Sequence, residues 1–250
     1  MSADSYLNSI IARYGINEAG VKARVNEIYP TIQQWADNYL NEAIYSGSLA
    51  KGTAVSLGTD ADVFISLSST TPGTLSQIYN SLYIALTQNG YQARKQNVSI
   101  GVTYGGYKID LVPGKRQSQY GYDHSLYKNK TGSWTKTNVK THVSHVANSS
   151  RAREIKILKV WRQLNNLDFP SFYLELAAID FLSGKSTTNL SGNCWDIFGF
   201  LAGDFINRRY IDPANTNNII SDDLSYSEKL TIQSFAKIAR SKSTWQEIVW

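Results

Sequence analysis

The hydrophobic periodicity of this chain changes in blocks, and that order constrains the fold more tightly than any single motif. Residues 19–43 set Val21, Val25, Ile28, Ile32, Trp35, Ala36 and Leu40 at helical spacing, with an interruption near Pro30. After a Ser/Gly-rich stretch (46–59), the run DADVFISL from Asp60 to Leu67 alternates as a strand. Val63, Ile65 and Leu67 share one face, and Asp60, Asp62 and Phe64 the other. Thr74 to Asn89 reads as a helix closed by Gly90. Two β-rich runs, VSIGVTY and YKIDLV, flank Gly105-Gly106 and predict a hairpin with Asp110 on its second strand. Segment 114–147 is polar, basic and irregular, and is expected to be a long loop or flap. From about 149 the pattern is helical, over 149–165, 170–183, 194–207 and 226–241. The expectation is an α+β fold, a small mixed sheet core plus a C-terminal helical lobe, divided as 1–148 and 149–250.

Composition narrows the function classes. A chain of 250 residues with 42% hydrophobic content can bury a substantial core, and 17 Gly and 5 Pro are too few for low complexity. There is no run of about 18 apolar residues, so no membrane insertion is expected. Cys194 is the only cysteine, which excludes an intrachain disulfide; with no basic, apolar leader at the start, the expected location is cytoplasmic. The net charge of +5 is uneven. Residues 91–164 hold 14 Lys/Arg against 3 Asp/Glu, a net +11, and the remainder is −6. A basic middle third suits an anionic partner such as a nucleotide or nucleic acid, or is an ordinary solvated face.

Three features carry chemistry. Gly47-Ser48 precedes a flexible stretch, where glycine lets backbone amides approach an anion and the serine hydroxyl can donate to a phosphate oxygen. Asp60 and Asp62 point the same way at the start of a strand, an arrangement of like charges that a cation relieves. Hard oxygen ligands of this kind suit Mg²⁺. Asp110 sits between Ile109 and Leu111 on the hairpin strand, where it could complete a metal site with Asp60 and Asp62 or simply face water. Taken singly, a Gly-Ser pair or a D-x-D is ordinarily a turn or a solvated strand edge.

In combination these residues match a known pattern. GSLAKGT, then TDADVFISL, then YKIDLVP resemble the core of the polymerase-β-like nucleotidyltransferases. Further on, ILKVWR (157–162), FPSFYLEL (169–176) and IDPANTNN (211–218) resemble the pattern shared by oligoadenylate synthases, cyclic GMP–AMP synthase, archaeal CCA-adding enzymes and bacterial CD-NTases of antiphage defence. The resemblance spans about 30 to 245. It implies a polymerase-β-like nucleotidyltransferase fold whose helical lobe closes the active-site cleft. It further implies that Gly47 and Ser48 hold the donor triphosphate and that Asp60 and Asp62 bind two Mg²⁺ ions, for which Mn²⁺ could substitute. Asp110 would share the metal near the acceptor and help activate its hydroxyl. Lys159 and Ser171 would reach the β/γ-phosphates, and Asp212 with Pro213 would shape the nucleoside side. Without the resemblance Lys159 reads as an exposed helix lysine, and Glu175 is expected to be structural, buried and paired.

The activity so implied is attack of a 3′-hydroxyl on the α-phosphate of a nucleoside triphosphate, ATP or dATP among the substrates, with release of pyrophosphate. The product would be a short cyclic or linear oligonucleotide messenger read by a separate effector protein, and the enzyme could answer to an activating ligand. The alternatives are a polynucleotide-tailing transferase, a toxin-type enzyme that nucleotidylates protein or tRNA, and a catalytically silent nucleic-acid-binding module. Three retained carboxylates argue against the last, because an anionic cluster repels a polyanion.

Overall fold

The computed structural model describes every residue except Thr59. It resolves into two compact units, Met1–Ile16 with Gly52–Gly58 and Ser144–Trp250, and Asn17–Lys51 with Thr59–Val143. The expected halves were contiguous. The observed units are interleaved, because the first helix and the short stretch after Lys51 pack into the helical unit rather than the sheet.

The second unit is built on a mixed sheet of β1 (Leu40–Tyr45), β2 (Ala61–Leu67), β3 (Gln92–Lys95), β4 (Ile100–Tyr104), β5 (Tyr107–Arg116), β6 (His124–Lys128) and β7 (Ser133–Thr137). The order is β1-β2-β5-β4-β3, with β6 paired to β5 and β7 to β6. β2 and β5 run parallel, and the other pairs are antiparallel. Two helices, α2 (Glu18–Ala36) and α4 (Leu75–Gln88), pack on each other and against β5. The one-turn helix α3 (Gly47–Ala50) follows β1.

Local chemistry explains these elements. The Thr74 hydroxyl accepts from Gln77 N, and the Gln77 side chain accepts from Thr74 N, a capping box that starts α4. Gly105 and Gly106 both have positive φ (55° and 82°), the turn that two-residue hairpins favour, and they join Tyr104 to Tyr107 in register. Val63, Ile65 and Leu67 are buried as their alternation predicts. Phe64 and Ser66 are buried as well, because β2 is central and covered on both faces. The Phe64 ring meets His124 edge-on at 4.8 Å.

Two expectations fail. α2 runs through Pro30 and ends at Ala36, so Leu40 opens β1 instead of closing a helix. Segment 114–147 is no irregular flap: it carries the end of β5, all of β6 and β7, and α5 (Val139–Ala147). Its strands are rich in Ser, Thr and Lys on half-exposed faces, so alternation of apolar residues is too weak to read.

The first unit holds α1 (Ala3–Arg13), α6 (Ala152–Leu164), α7 (Ser171–Phe181), α8 (Leu190–Ala202), the hairpin β8 (Ile211–Asp212) and β9 (Asn215–Ile219), and α9 (Tyr226–Arg240). Its core centres on Trp161 against Phe198, with ring centroids 5.0 Å apart, and on Phe169, Tyr173 and Phe205. Val55 is 3% exposed within this core, and Ser56 N donates to Tyr14 O at 2.8 Å. Among the described residues no helix is long and apolar enough to cross a membrane.

A Cβ added at Gly114 on β5 would lie 2.5 Å from Phe64 Cζ and 3.1 Å from Leu126 Cδ2. Gly114→Ala is therefore expected to destabilise the protein by ~1–3 kcal/mol through overpacking, read as a lowered denaturation midpoint.

Candidate active site

The parallel register of β2 and β5 pairs Asp62 with Asp110. Side chains alternate along each strand, so residues paired across neighbouring strands share a face. Asp60, two residues before Asp62 and just ahead of β2, lies close enough for its charge to act on Asp110. Asp60, Asp62 and Asp110 are half-buried. Burial, and after it the charge of Asp60, push the Asp110 carboxyl above its ordinary value. A hydrogen bond from Gln96, the charge of Arg94 and a contact with Ser99 act in the opposite sense.

Gly47 explains how the preceding turn meets this face. Its φ is +57°, a conformation that L side chains rarely adopt, and a Cβ there would lie 1.8 Å from Asp62 Oδ2. The carboxylate occupies the place where another residue would carry a side chain. Ser46 N donates to Asp62 O at 2.8 Å and ties the turn to β2, and Ser48 follows, half-buried, on α3. Gly47, Ser48, Asp60, Asp62 and Asp110 thus belong to one unit.

Lys159, Ser171 and Asp212 belong to the other unit, and each has partners of its own. Lys159 is not an exposed helix lysine. It is 2% exposed, and its Nζ donates to Glu175 Oε1 at 2.7 Å and to Thr53 Oγ1 at 2.9 Å. Thr53 Oγ1 in turn donates to Glu175 Oε1 at 2.9 Å, so Glu175 is buried and paired as expected. Ser171 is exposed at the first turn of α7, where its hydroxyl accepts from Arg162 Nη1 at 2.9 Å. Asp212 is 4% exposed and folds its own hairpin: Oδ1 accepts from Ala214 N at 2.8 Å and Oδ2 from Asn218 Nδ2 at 3.1 Å. Its carboxylate forms the turn of that hairpin. Sequence reasoning missed Thr53, Gln96 and Ser99, none of which carries a local signal beyond its residue type.

The donor set decides which cation fits. Three carboxylates offer hard oxygens with no thiolate or imidazole among them, and like-charge pressure on Asp110 is what a divalent cation relieves. Mg²⁺ fits this chemistry. Among the described residues no three His, Cys, Asp or Glu side chains are grouped closely enough to hold a metal ion by themselves.

Comparison with known proteins agrees with this geometry. Residues 1–149 match the family model described as the Second Messenger Oligonucleotide or Dinucleotide Synthetase domain. A cyclic AMP-AMP-AMP synthase of Escherichia coli (strain MS 115-1) is 25% identical over 221 residues, which are 79% of this chain and 69% of that protein. The fold is shared with E. coli MS115-1 CdnC solved with ATP, at a TM-score of 0.79 and 21% identity over 96% of this chain and 90% of that one. It is shared with the Bradyrhizobium diazoefficiens CD-NTase CdnG in complex with GTP, at 0.75 and 13% over 98% and 94%.

Two outcomes are expected of the buried charges. Removing one member of the Lys159–Glu175 pair, as in Glu175→Ala, should cost ~3–5 kcal/mol, whereas Lys159→Met with Glu175→Leu should cost markedly less, both read from denaturant melts. Asp110 titrates higher folded than unfolded, so its stabilising contribution is present below the ordinary value of 3.8 and lost as pH rises through its folded value. Asp110→Asn should therefore melt above wild type at neutral pH in EDTA, with the gap closing as the pH falls towards 3.8.

Proposed function

The chain belongs to the family of second messenger oligonucleotide or dinucleotide synthetases, and from that premise we propose that it joins nucleoside triphosphates, ATP among them, into a short oligonucleotide messenger. The observation that carries this reading is the β2–β5 register, which sets Asp62 beside Asp110 on the face that Gly47 approaches. The reaction is attack of a 3′-hydroxyl on the α-phosphate of a second nucleotide: one phosphodiester bond forms, the α–β phosphoanhydride breaks, and pyrophosphate leaves. Gly47 and Ser48 bind and orient the triphosphate through the turn before α3. Asp110 accepts the proton of the attacking hydroxyl, a role suited to a carboxyl whose affinity for protons burial has raised. Asp60, Asp62 and Asp110 would hold Mg²⁺, which would supply electrostatic stabilisation of the charge on the phosphates.

Ser171, exposed at the start of α7, and Lys159 are the further phosphate contacts of this reading, and Asp212 belongs to its nucleoside side. A product built from adenosine nucleotides follows the E. coli relative, which is a cyclic AMP-AMP-AMP synthase. Such a product would act on a separate effector protein in antiphage defence.

The test is to incubate the purified protein with each α-labelled ribo- and deoxynucleoside triphosphate, singly and mixed, in Mg²⁺. A short phosphatase-resistant product is expected, absent from Asp60→Asn/Asp62→Asn. Failure of every mixture, together with extension of an added RNA, would replace the messenger synthase by a tailing enzyme.

A further inference from the structure

The two oxygens of Asp110 have unequal surroundings. Gln96 Nε2 donates to Oδ1 at 2.9 Å, a full hydrogen bond. Ser99 Oγ stands 3.5 Å from Oδ2, at the limit of one. A hydroxyl has a single proton, and that of Ser99 is better placed on Gln96 Oε1 at 2.9 Å. This bond fixes the carboxamide: its oxygen accepts from Ser99, and its NH₂ is left facing the carboxylate, which can only accept.

The turn that carries Gln96 and Ser99 is itself held. Gln96 N donates to Ser99 O at 3.0 Å. The hydroxyl of Tyr79, which is 1% exposed on α4, donates to Gln96 O at 2.7 Å and lies 3.1 Å from Ser99 O. Across the sheet from Asp110 stands Gly101. A Cβ on Gly101 would lie 2.5 Å from Gln96 Nε2 and 3.1 Å from Asp110 Oδ1. The Gln96 amide, with Arg94 Nε 3.0 Å from the same point, thus fills the space that a side chain opposite Asp110 would otherwise take.

The identity of the partner matters as much as its place. A lysine or arginine bonded to Oδ1 would neutralise the carboxylate and compete with a cation for it. A carboxamide orients the group without cancelling its charge. Arg94 acts on Asp110 from an exposed position and is a weaker influence than the Gln96 hydrogen bond.

We infer that Gln96 is a positioning residue which ties down Oδ1 of Asp110 and presents Oδ2 to the cation and the acceptor hydroxyl. The inference rests on the reading of Asp60, Asp62 and Asp110 as nucleotidyltransferase carboxylates. Ser99 orients the Gln96 amide, and Tyr79 anchors the turn beneath both.

The experiment compares wild type, Gln96→Leu, Ser99→Ala, Gln96→Asn and Asp62→Asn in the full chain. Two readouts are taken: the Mg²⁺-dependent rise in melting temperature without nucleotide, and kcat, KM and half-saturating Mg²⁺ in product formation. Gln96→Leu is expected to lower kcat and to raise half-saturating Mg²⁺ by ~10–100-fold, while KM for nucleotide stays near wild type. Ser99→Ala keeps the amide but frees its rotation, so it should fall between the two, and it carries the test if Gln96→Leu folds poorly. Gln96→Asn, one methylene short of Oδ1, should resemble Gln96→Leu. Wild-type kcat, half-saturating Mg²⁺ and Mg²⁺-induced stabilisation in Gln96→Leu, with Asp62→Asn impaired, would overturn the inference and leave the carboxylate reading standing. Mg²⁺-induced stabilisation that is unchanged by Asp62→Asn, in a protein that makes no product, would overturn the carboxylate reading and this inference with it.

Discussion

Parallel pairing of β2 with β5 places Asp62 and Asp110 at neighbouring positions of the sheet, and most of the site is arranged around that juxtaposition. Two carboxylates so placed repel, and partial burial makes the repulsion stronger than it would be in water. The sheet enforces the arrangement because the residues between and beside them leave no other register. Val63 and Ile65 on β2, with Ile109 and Leu111 on β5, are all at most 2% exposed, and a slip by one residue would exchange them with the side chains packed on the other face. Glycines complete the arrangement by absence. Gly47 leaves room for the Asp62 carboxylate, and Gly101 leaves room for the amide that holds Asp110.

Buried charge is treated differently in the two units. In the helical unit Lys159 is matched to Glu175, and Arg151 to Glu154, whose Oε1 also accepts from Asn193 at 2.8 Å. Arg151 further donates to the carbonyls of Leu182, Lys185 and Ser186 at the end of α7 and beyond. These groups are neutralised where they sit, and their removal one at a time exposes an unpaired charge to a dry interior. Asp110 in the sheet unit accepts from a neutral carboxamide, which orients the carboxylate without pairing its charge. A carboxylate kept charged at the cost of stability is characteristic of a group with work to do on a ligand.

This contrast also explains what could be read from the sequence. The strand that carries Asp62 was legible because period-2 alternation is a local property of a few residues, whereas the site roles of Asp60, Asp62 and Gly47 came only with the family resemblance. The hairpin was legible for the same reason, and it carried Asp110 with it. Lys159 was not, since a helix position reveals neither its burial nor its partners, one of them 106 residues earlier in the chain. The bonds of Asp212 within its own hairpin were not legible either, because a carboxylate that folds its own turn looks, in sequence, like one that awaits a ligand. β6 and β7 were hidden by half-exposed faces of Ser, Thr and Lys. Gln96 became visible only when Tyr79, Ser99 and Gly101 were seen around it.

The stretch between the two halves of the motif shows how far sequence adjacency can mislead. Gly47-Ser48 and Asp60 lie within a dozen residues of each other, as if one continuous loop built them. Yet Thr53 is fully buried against Lys159 and Glu175, Val55 sits in the helical core, and a Cβ on Gly58 would strike Gln163. The chain leaves the sheet unit after Lys51, contributes seven residues to the other core, and then supplies Asp60 and β2. Fixing a backbone residue costs ~1–2 kcal/mol of conformational entropy, and here that cost is met by contacts that have nothing to do with the carboxylates.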